Sequence, residues 1–205
     1  MSGKTKKQLL YFDHIAIAIG KNPGDLECYE HIFELLGFDK EWQRNRIGNK
    51  ETAMKTAVLT RGKVKLALME GIDGKNQKGA KVVSQVNEYY QRFGLSVQHI
   101  ALRCSNLQKL LDEWSKAGVR FLTEDKNRKP KILVDEENSA TILQCFTYPI
   151  NKTLFFELKQ IVKGKKNLKK IEEFRDANVE GLWASLDRAL KEGWLFEVNI
   201  FGEKK

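Results

Sequence analysis

Val97-Gln98-His99-Ile100-Ala101-Leu102 is a short apolar run with a histidine at its centre, and it nearly repeats Asp13-His14-Ile15-Ala16-Ile17 from the first strand-like segment of the chain, Tyr11 to Ile19. Both runs have the β-branched and apolar content of buried strands. The shared core, His-Ile-Ala followed by Ile or Leu, recurs at a distance too long for a solenoid repeat and points to two homologous supersecondary modules. The segment after each copy agrees. Asp25 to Leu36 carries Leu26, Tyr29, Ile32, Phe33 and Leu36 on one helical face and ends at Gly37-Phe38. Leu107 to Ala117 carries Leu107, Leu110, Leu111 and Trp114 at the same spacing and ends at Gly118-Val119. A glycine just past the last periodic residue is a common helix stop.

Strand-like runs come after each helix: Thr52 to Leu59 and Lys63 to Met69 in the first half, then Arg120 to Thr123, Lys131 to Val134, Ala140 to Phe146 and Thr153 to Gln160 in the second. The plan in each half is strand, helix, then further strands. Gly79 to Phe93 reads as a linker helix, and Leu168 to Glu192 as one or two C-terminal helices.

Composition narrows the class of molecule. The chain has 205 residues, 41% hydrophobic and 31% charged, with a formal charge of +9. That is ordinary for a soluble globular protein. No stretch is apolar for the roughly 20 residues of a membrane span, and the basic N-terminus lacks a signal core, so no membrane association and a cytoplasmic location are expected. Three cysteines, Cys28, Cys104 and Cys145, lack CxxC spacing, which argues against a disulfide framework or a zinc-thiolate site. The lysines cluster at residues 1–7, 75–81, 126–131 and 163–170 without a nucleic-acid motif. Solvated surface, or attraction of an anionic substrate, is expected in place of nucleic acid.

Only three histidines are present, and two occupy the same place in the repeated strand. If the modules pair about a pseudo-twofold axis, those two positions face one another and both imidazoles reach one metal ion. Strand alternation puts His14, Ala16 and Ala18 on one face, and His99 with Ala101 on one face, the small alanines leaving room beside each ring. A carboxylate on a late strand would complete a two-His, one-carboxylate set. Glu157 stands in the apolar run Thr153 to Ile161, where an ionised side chain is costly unless paired or metal-bound. Glu70, at the end of Lys63 to Met69, is its rival. His31 on the first helix is expected to be surface or core filling. Such a donor set with open positions suits Fe(II), and would also accept Mn, Ni, Co or Zn.

From Phe12 to about Ala189 the chain resembles the C-terminal, catalytic half of 4-hydroxyphenylpyruvate dioxygenase, in the vicinal oxygen chelate (glyoxalase/bleomycin-resistance-like) superfamily. The resemblance rests on Asp13-His14-Ile15, Leu36-Gly37-Phe38 with Trp42, Ser84-Gln85-Val86, Val97 to Leu102, Gly118 to Leu122, Ile132 to Asp135, Leu143-Gln144-Cys145-Phe146-Thr147 and Leu154-Phe155-Phe156-Glu157. It implies that His14, His99 and Glu157 bind Fe(II), with no catalytic residue beyond these ligands. The implied partners are a small-molecule 2-oxo acid and O2. The implied reaction is oxidative decarboxylation with hydroxylation of the aromatic ring. It further implies substrate contacts from Gln85, Gln98, Gln144, Phe146 and Phe174. Repeat and resemblance together predict an α+β fold, with two βαβββ modules paired into an open barrel-like mixed sheet around a metal site and a C-terminal helix. A single domain over 1–205 is expected, with module one at about 10–74, the linker helix at 79–93, module two at 96–162 and a helical lid at 166–193. A homo-oligomer is compatible with this plan but not required by it.

The departures from the family bear on substrate. Met69-Glu70-Gly71 stands where the family has Asn-Glu-Pro, Thr56 where a Ser is usual, and Glu173-Phe174-Arg175-Asp176-Ala177-Asn178-Val179 where the family closes its pocket with a Gly- and Phe-rich segment. The stretch between Leu122 and Lys131 is shorter than in the family. Alternative readings are therefore a hydroxymandelate synthase-like, extradiol or glyoxalase-like enzyme, the last using Glu70 as a fourth ligand, or a noncatalytic small-molecule binder of the same fold.

Overall fold

Among the described residues, ten strands and four helices succeed one another in an order that repeats. The computed structural model describes residues 10–122, 124, 129–136, 140–150, 152–163, 176–192 and 200–201. Strand β1 (Tyr11–Gly20) leads into α1 (Asp25–Leu35), then β2 (Asp39–Gly48), β3 (Ala53–Arg61) and β4 (Val64–Ile72). A two-stranded hairpin, β5 (Gly74–Lys75) and β6 (Lys81–Val82), precedes α2 (Gln85–Phe93). The second half runs β7 (Ser96–Arg103), α3 (Leu107–Lys116), β8 (Leu133–Glu136), β9 (Ala140–Phe146) and β10 (Phe155–Lys163), and α4 (Asp176–Lys191) is the last element among the described residues.

Eight strands form one mixed sheet in the order β2-β3-β4-β1-β7-β10-β9-β8. Taken from either edge inward, each half presents its strands in the same order, ending on its first strand. Within each half that first strand is parallel to the last (β1 to β4, β7 to β10), and β1 and β7 meet antiparallel at the middle. The repeat in sequence is thus a pseudo-twofold in space, and the α+β plan of two paired βαβββ modules is the one observed.

Alternation sorts the side chains onto two faces. Ile19, Leu59, Leu66 and Leu68 pack against Leu26 of α1, while Cys145 and Leu158 pack against Leu107, Leu110 and Leu111 of α3. The inner face carries Ala16, Ala18, Val58, Ala67, Met69, Phe146 and Phe155, covered by Val86 and Tyr89 of α2 and by Leu182, Trp183 and Leu186 of α4. The C-terminal helix is tied down beside the β2–β3 turn: Thr52 Oγ1 lies 3.4 Å from Asp187 Oδ1, and Lys191 bridges Asp187 at 2.9 Å and Glu51 at 3.7 Å. Among the described residues, no helix is long and apolar enough to cross a membrane.

Three expectations need adjusting. Strand β2 was not expected, because Asp39-Lys-Glu-Trp-Gln-Arg-Asn-Arg is too polar to show a buried face; it is an edge strand, largely exposed, where such a composition is tolerated. The linker is not helical from residue 79: Gly79 turns with φ at +79° into the β5–β6 hairpin. The helix begins only after Ser84, whose hydroxyl accepts from Asn87 N at 3.2 Å. In Arg120 to Thr123, the described residues contribute a single bridge, Phe121 to Thr147.

Candidate metal centre

Because β1 and β7 are central neighbours, the repeated histidines sit across one strand pair, with His14 opposite Ala101 and His99 opposite Ala16. Their ring centroids are 5.5 Å apart at 77°. Glu157, on β10 opposite Ala101 of β7, reaches both: its Oε2 lies 3.5 Å from His14 Nε2 and 3.6 Å from His99 Nε2. All three side chains are buried. Their ligand atoms lie within 4.8 Å of one another, and among the described residues no other set of His, Cys, Asp or Glu gathers in this way. Two atoms each about 2.1 Å from a common ion stand roughly 3 to 3.5 Å apart. The donor set and its spacing therefore fit a small divalent cation.

Register sets Glu157 and its rival Glu70 on different faces of the sheet. Ala16 pairs with Ala67 on β4 just as Ala101 pairs with Glu157 on β10, so the position equivalent to Glu157 in the first module is Ala67. Glu70 belongs with Leu66 and Leu68 on the opposite face, where its Oε2 accepts the Leu26 N–H of α1 at 2.7 Å. Burial pushes its carboxyl above the usual range, against the opposing pull of that N–H. Glu70 is a helix cap. Glu70→Ala is expected to cost about 1–3 kcal/mol in urea unfolding by stranding a buried N–H, and to leave metal affinity unchanged.

Each histidine is preceded by a bulge. The register steps from Phe12–Leu102 to His14–Ala101 and from Ile17–Val97 to Ala16–His99, leaving Asp13 and Gln98 as the extra residues. The bulge turns each of these side chains onto the adjacent ring. Asp13 Oδ1 is 2.8 Å from His14 Nδ1, and Gln98 Oε1 is 3.2 Å from His99 Nδ1. Such outer partners fix the tautomer and orientation of a ligating imidazole. Burial alone would raise the Asp13 carboxyl, but the His14 hydrogen bond, the Lys159 charge and Arg103 together hold it well below the usual carboxylate range. Burial, followed by the neighbouring His14 ring and the Lys159 charge, pushes His99 well below an ordinary histidine, which favours the neutral ring that a metal ligand needs. Phe155 stacks on that ring at 4.9 Å and 26°. Gln144 Nε2 donates to Glu157 Oε1 at 2.8 Å, leaving Oε2 for the histidines.

The three residues face a cleft of about 420 Å³, walled by Trp42, Thr56 and Ala67 of the first module, Gln144 and Lys159 of the second, and Val179 and Leu182 of α4. Of the substrate contacts expected from sequence, Gln144 is on this wall. Gln85 and Gln98 instead line a separate, smaller space with Tyr89, Phe155 and Leu186, and Gln85 Nε2 donates to the Trp183 carbonyl at 3.1 Å. Phe146 is fully buried, edge-on to Phe155 at 6.4 Å. Phe174 lies outside the described residues. Asp13 and Lys159 are site residues that sequence reasoning missed. A lysine two places after Glu157 in an apolar strand shares its face, and that parity was the available signal.

Comparison with known proteins places this architecture. Residues 13–132, more than half of the chain, match the sequence model of the Glyoxalase/Bleomycin resistance protein/Dioxygenase superfamily. The chain belongs to this superfamily. Within it, the chain is 28% identical over 184 residues to 4-hydroxyphenylpyruvate dioxygenase of Xenopus tropicalis, covering 74% of this chain and 44% of that protein. It is 28% identical over 230 residues to 4-hydroxyphenylpyruvate dioxygenase of Tetrahymena thermophila, covering 93% and 52%. The chain spans about half the length of the curated relatives it matches. Among solved structures, a variant of 4-hydroxymandelate synthase from Streptomyces coelicolor matches with a TM-score of 0.70 at 19% identity, over 92% of this chain and 56% of that one. That likeness speaks to the superfamily fold.

Proposed function

We propose that the chain is a non-heme Fe(II)-dependent dioxygenase acting on an aryl 2-oxo acid, with His14, His99 and Glu157 as the metal ligands. The observation that carries this reading is the convergence of two neutral-capable imidazoles and one oriented carboxylate at one end of a walled cleft, in a chain whose relatives are named 4-hydroxyphenylpyruvate dioxygenase. Two nitrogens and one oxygen leave coordination positions for exogenous ligands, the donor pattern of non-heme Fe(II) oxygenases. Fe(II) bound there would supply Lewis acidity and dioxygen activation. The chain's own residues do the rest. Asp13 and Gln98 hold the two rings, and Gln144 holds the carboxylate and offers an amide to the cleft. Trp42, Ala67, Val179 and Leu182 give an apolar wall suited to an aromatic body and exclude water from it. A glyoxalase-like site with a fourth acidic ligand is less well supported, because Ala67 occupies the equivalent position and Glu70 faces α1.

The test is anaerobic loading with Fe(II), addition of 4-hydroxyphenylpyruvate, then admission of O2. A visible charge-transfer band on mixing, succeeded by O2 uptake and CO2 release, is the expected result. A band without O2 uptake would mean a binding protein, and neither signal with the metal demonstrably bound would overturn the substrate assignment.

A further inference from the structure

Asp13 is the junction of a buried ionic cluster that the proposed reaction does not itself require. Its Oδ2 takes the fork of Arg103, with Nη2 at 2.7 Å and Nε at 3.1 Å, and its Oδ1 lies 2.8 Å from His14 Nδ1 and 3.6 Å from Lys159 Nζ. Asp13 is 6% exposed and Lys159 1% exposed. Lys159 and Arg103 are cross-strand partners on β10 and β7, and Lys159 also lines the cleft two residues from Glu157. An ammonium group withdrawn from water this completely is retained only where charged partners offset the several kcal/mol of lost hydration. One charged partner here, 3.6 Å away, is the carboxylate that backs a histidine. The other histidine has a neutral amide at the equivalent place, so the two rings are unequal although their strands are related by the repeat.

We infer that Lys159 is a positioning residue for the metal centre: with Arg103 it anchors the Asp13 carboxylate against His14 Nδ1, so that His14 carries its proton on Nδ1 and turns a bare Nε2 towards Glu157. This rests on reading His14, His99 and Glu157 as metal ligands. Arg103 engages Oδ2 through both donors of its fork. Lys159 acts on the other oxygen, the one that meets His14, and sets its direction. A carboxylate-backed imidazole is the more basic donor, so His14 would be the stronger of the two nitrogen ligands.

The experiment uses the full chain made metal-free, Co(II) as the probe in chelator competition, and 15N NMR of the histidine ring nitrogens. Lys159→Met is expected to weaken Co(II) binding about 10-fold or more, within the 10- to 100-fold span of outer partners. Lys159→Arg should restore most of it. Asp13→Asn should weaken binding at least as much, and the double variant Asp13→Asn with Lys159→Met should be no weaker than Asp13→Asn alone, because the lysine acts through the aspartate. In the metal-free chain, His14 should be the Nδ1–H tautomer in the wild type and a mixture in Lys159→Met. Unchanged Co(II) affinity in Lys159→Met, or losses that simply add in the double variant, would overturn the inference. Should the wild type fail to bind Co(II), the metal reading falls by itself, and the tautomer of His14 then decides the role of Lys159.

Discussion

Glu157→Gln is expected to weaken divalent-metal binding by at least about 100-fold, more than loss of an outer partner would, while the metal-free protein unfolds within about 1 kcal/mol of the wild type. The substitution keeps the volume of the side chain and an oxygen able to accept from Gln144 Nε2, so packing against β9 and β7 is preserved. What it removes is the negative charge between two imidazole nitrogens at 3.5 and 3.6 Å. That charge does nothing for an apolar core. A cation shared with the two imidazoles would account for this charge on a side chain only 3% exposed. Binding to the native state alone raises stability by RT ln(1 + [L]/Kd), so the rise in unfolding temperature on adding Co(II) should be present in the wild type and absent in Glu157→Gln. Chelator competition gives the affinity directly. Wild-type affinity in Glu157→Gln would remove Glu157 from the ligand set.

The legibility of the site in the sequence depends on the physics of each signal. The two histidines were legible because a duplicated strand writes the same residues twice, and duplication forces equivalent positions towards one axis. Glu157 was legible as an anomaly, a charge in an apolar run, and ranked ahead of Glu70 as such, but the geometry behind that rank was not legible. That rank depends on which face β4 turns inward, and only the register of Ala16 with Ala67 shows it. The bulges at Asp13 and Gln98 were invisible for a related reason. Simple alternation puts Gln98 on the face away from His99, and an inserted residue breaks alternation without leaving a mark in composition. Strand β2 escaped notice because an edge needs no continuous apolar face. Lys159 was visible by parity with Glu157, yet a lysine is ordinarily read as surface, and its partner Asp13 lies two strands away.

Phe155→Ala is expected to cost about 3–5 kcal/mol in urea unfolding of the metal-free chain and to weaken Co(II) binding as well. Phe155 is 2% exposed and opens β10, where it pairs with His99 across the parallel ladder. One ring face lies against the His99 imidazole at 4.9 Å, and Phe146 meets it edge-on at 6.4 Å. Truncation loses the transfer energy of the ring and opens a cavity, and that cavity adjoins the space already present beside Gln85 and Gln98. Phe155→Leu separates the two effects. Leucine restores most of the apolar volume and should bring stability back to within about 2 kcal/mol of the wild type, but it presents no flat surface to the ring. His99 would keep its Gln98 contact and lose the wall that sets its tilt, so metal affinity should recover less than stability does. Equal recovery of both would mean that Phe155 supports the centre only by filling space; recovery of stability alone would mean that the orientation of His99 is held from this side of the strand.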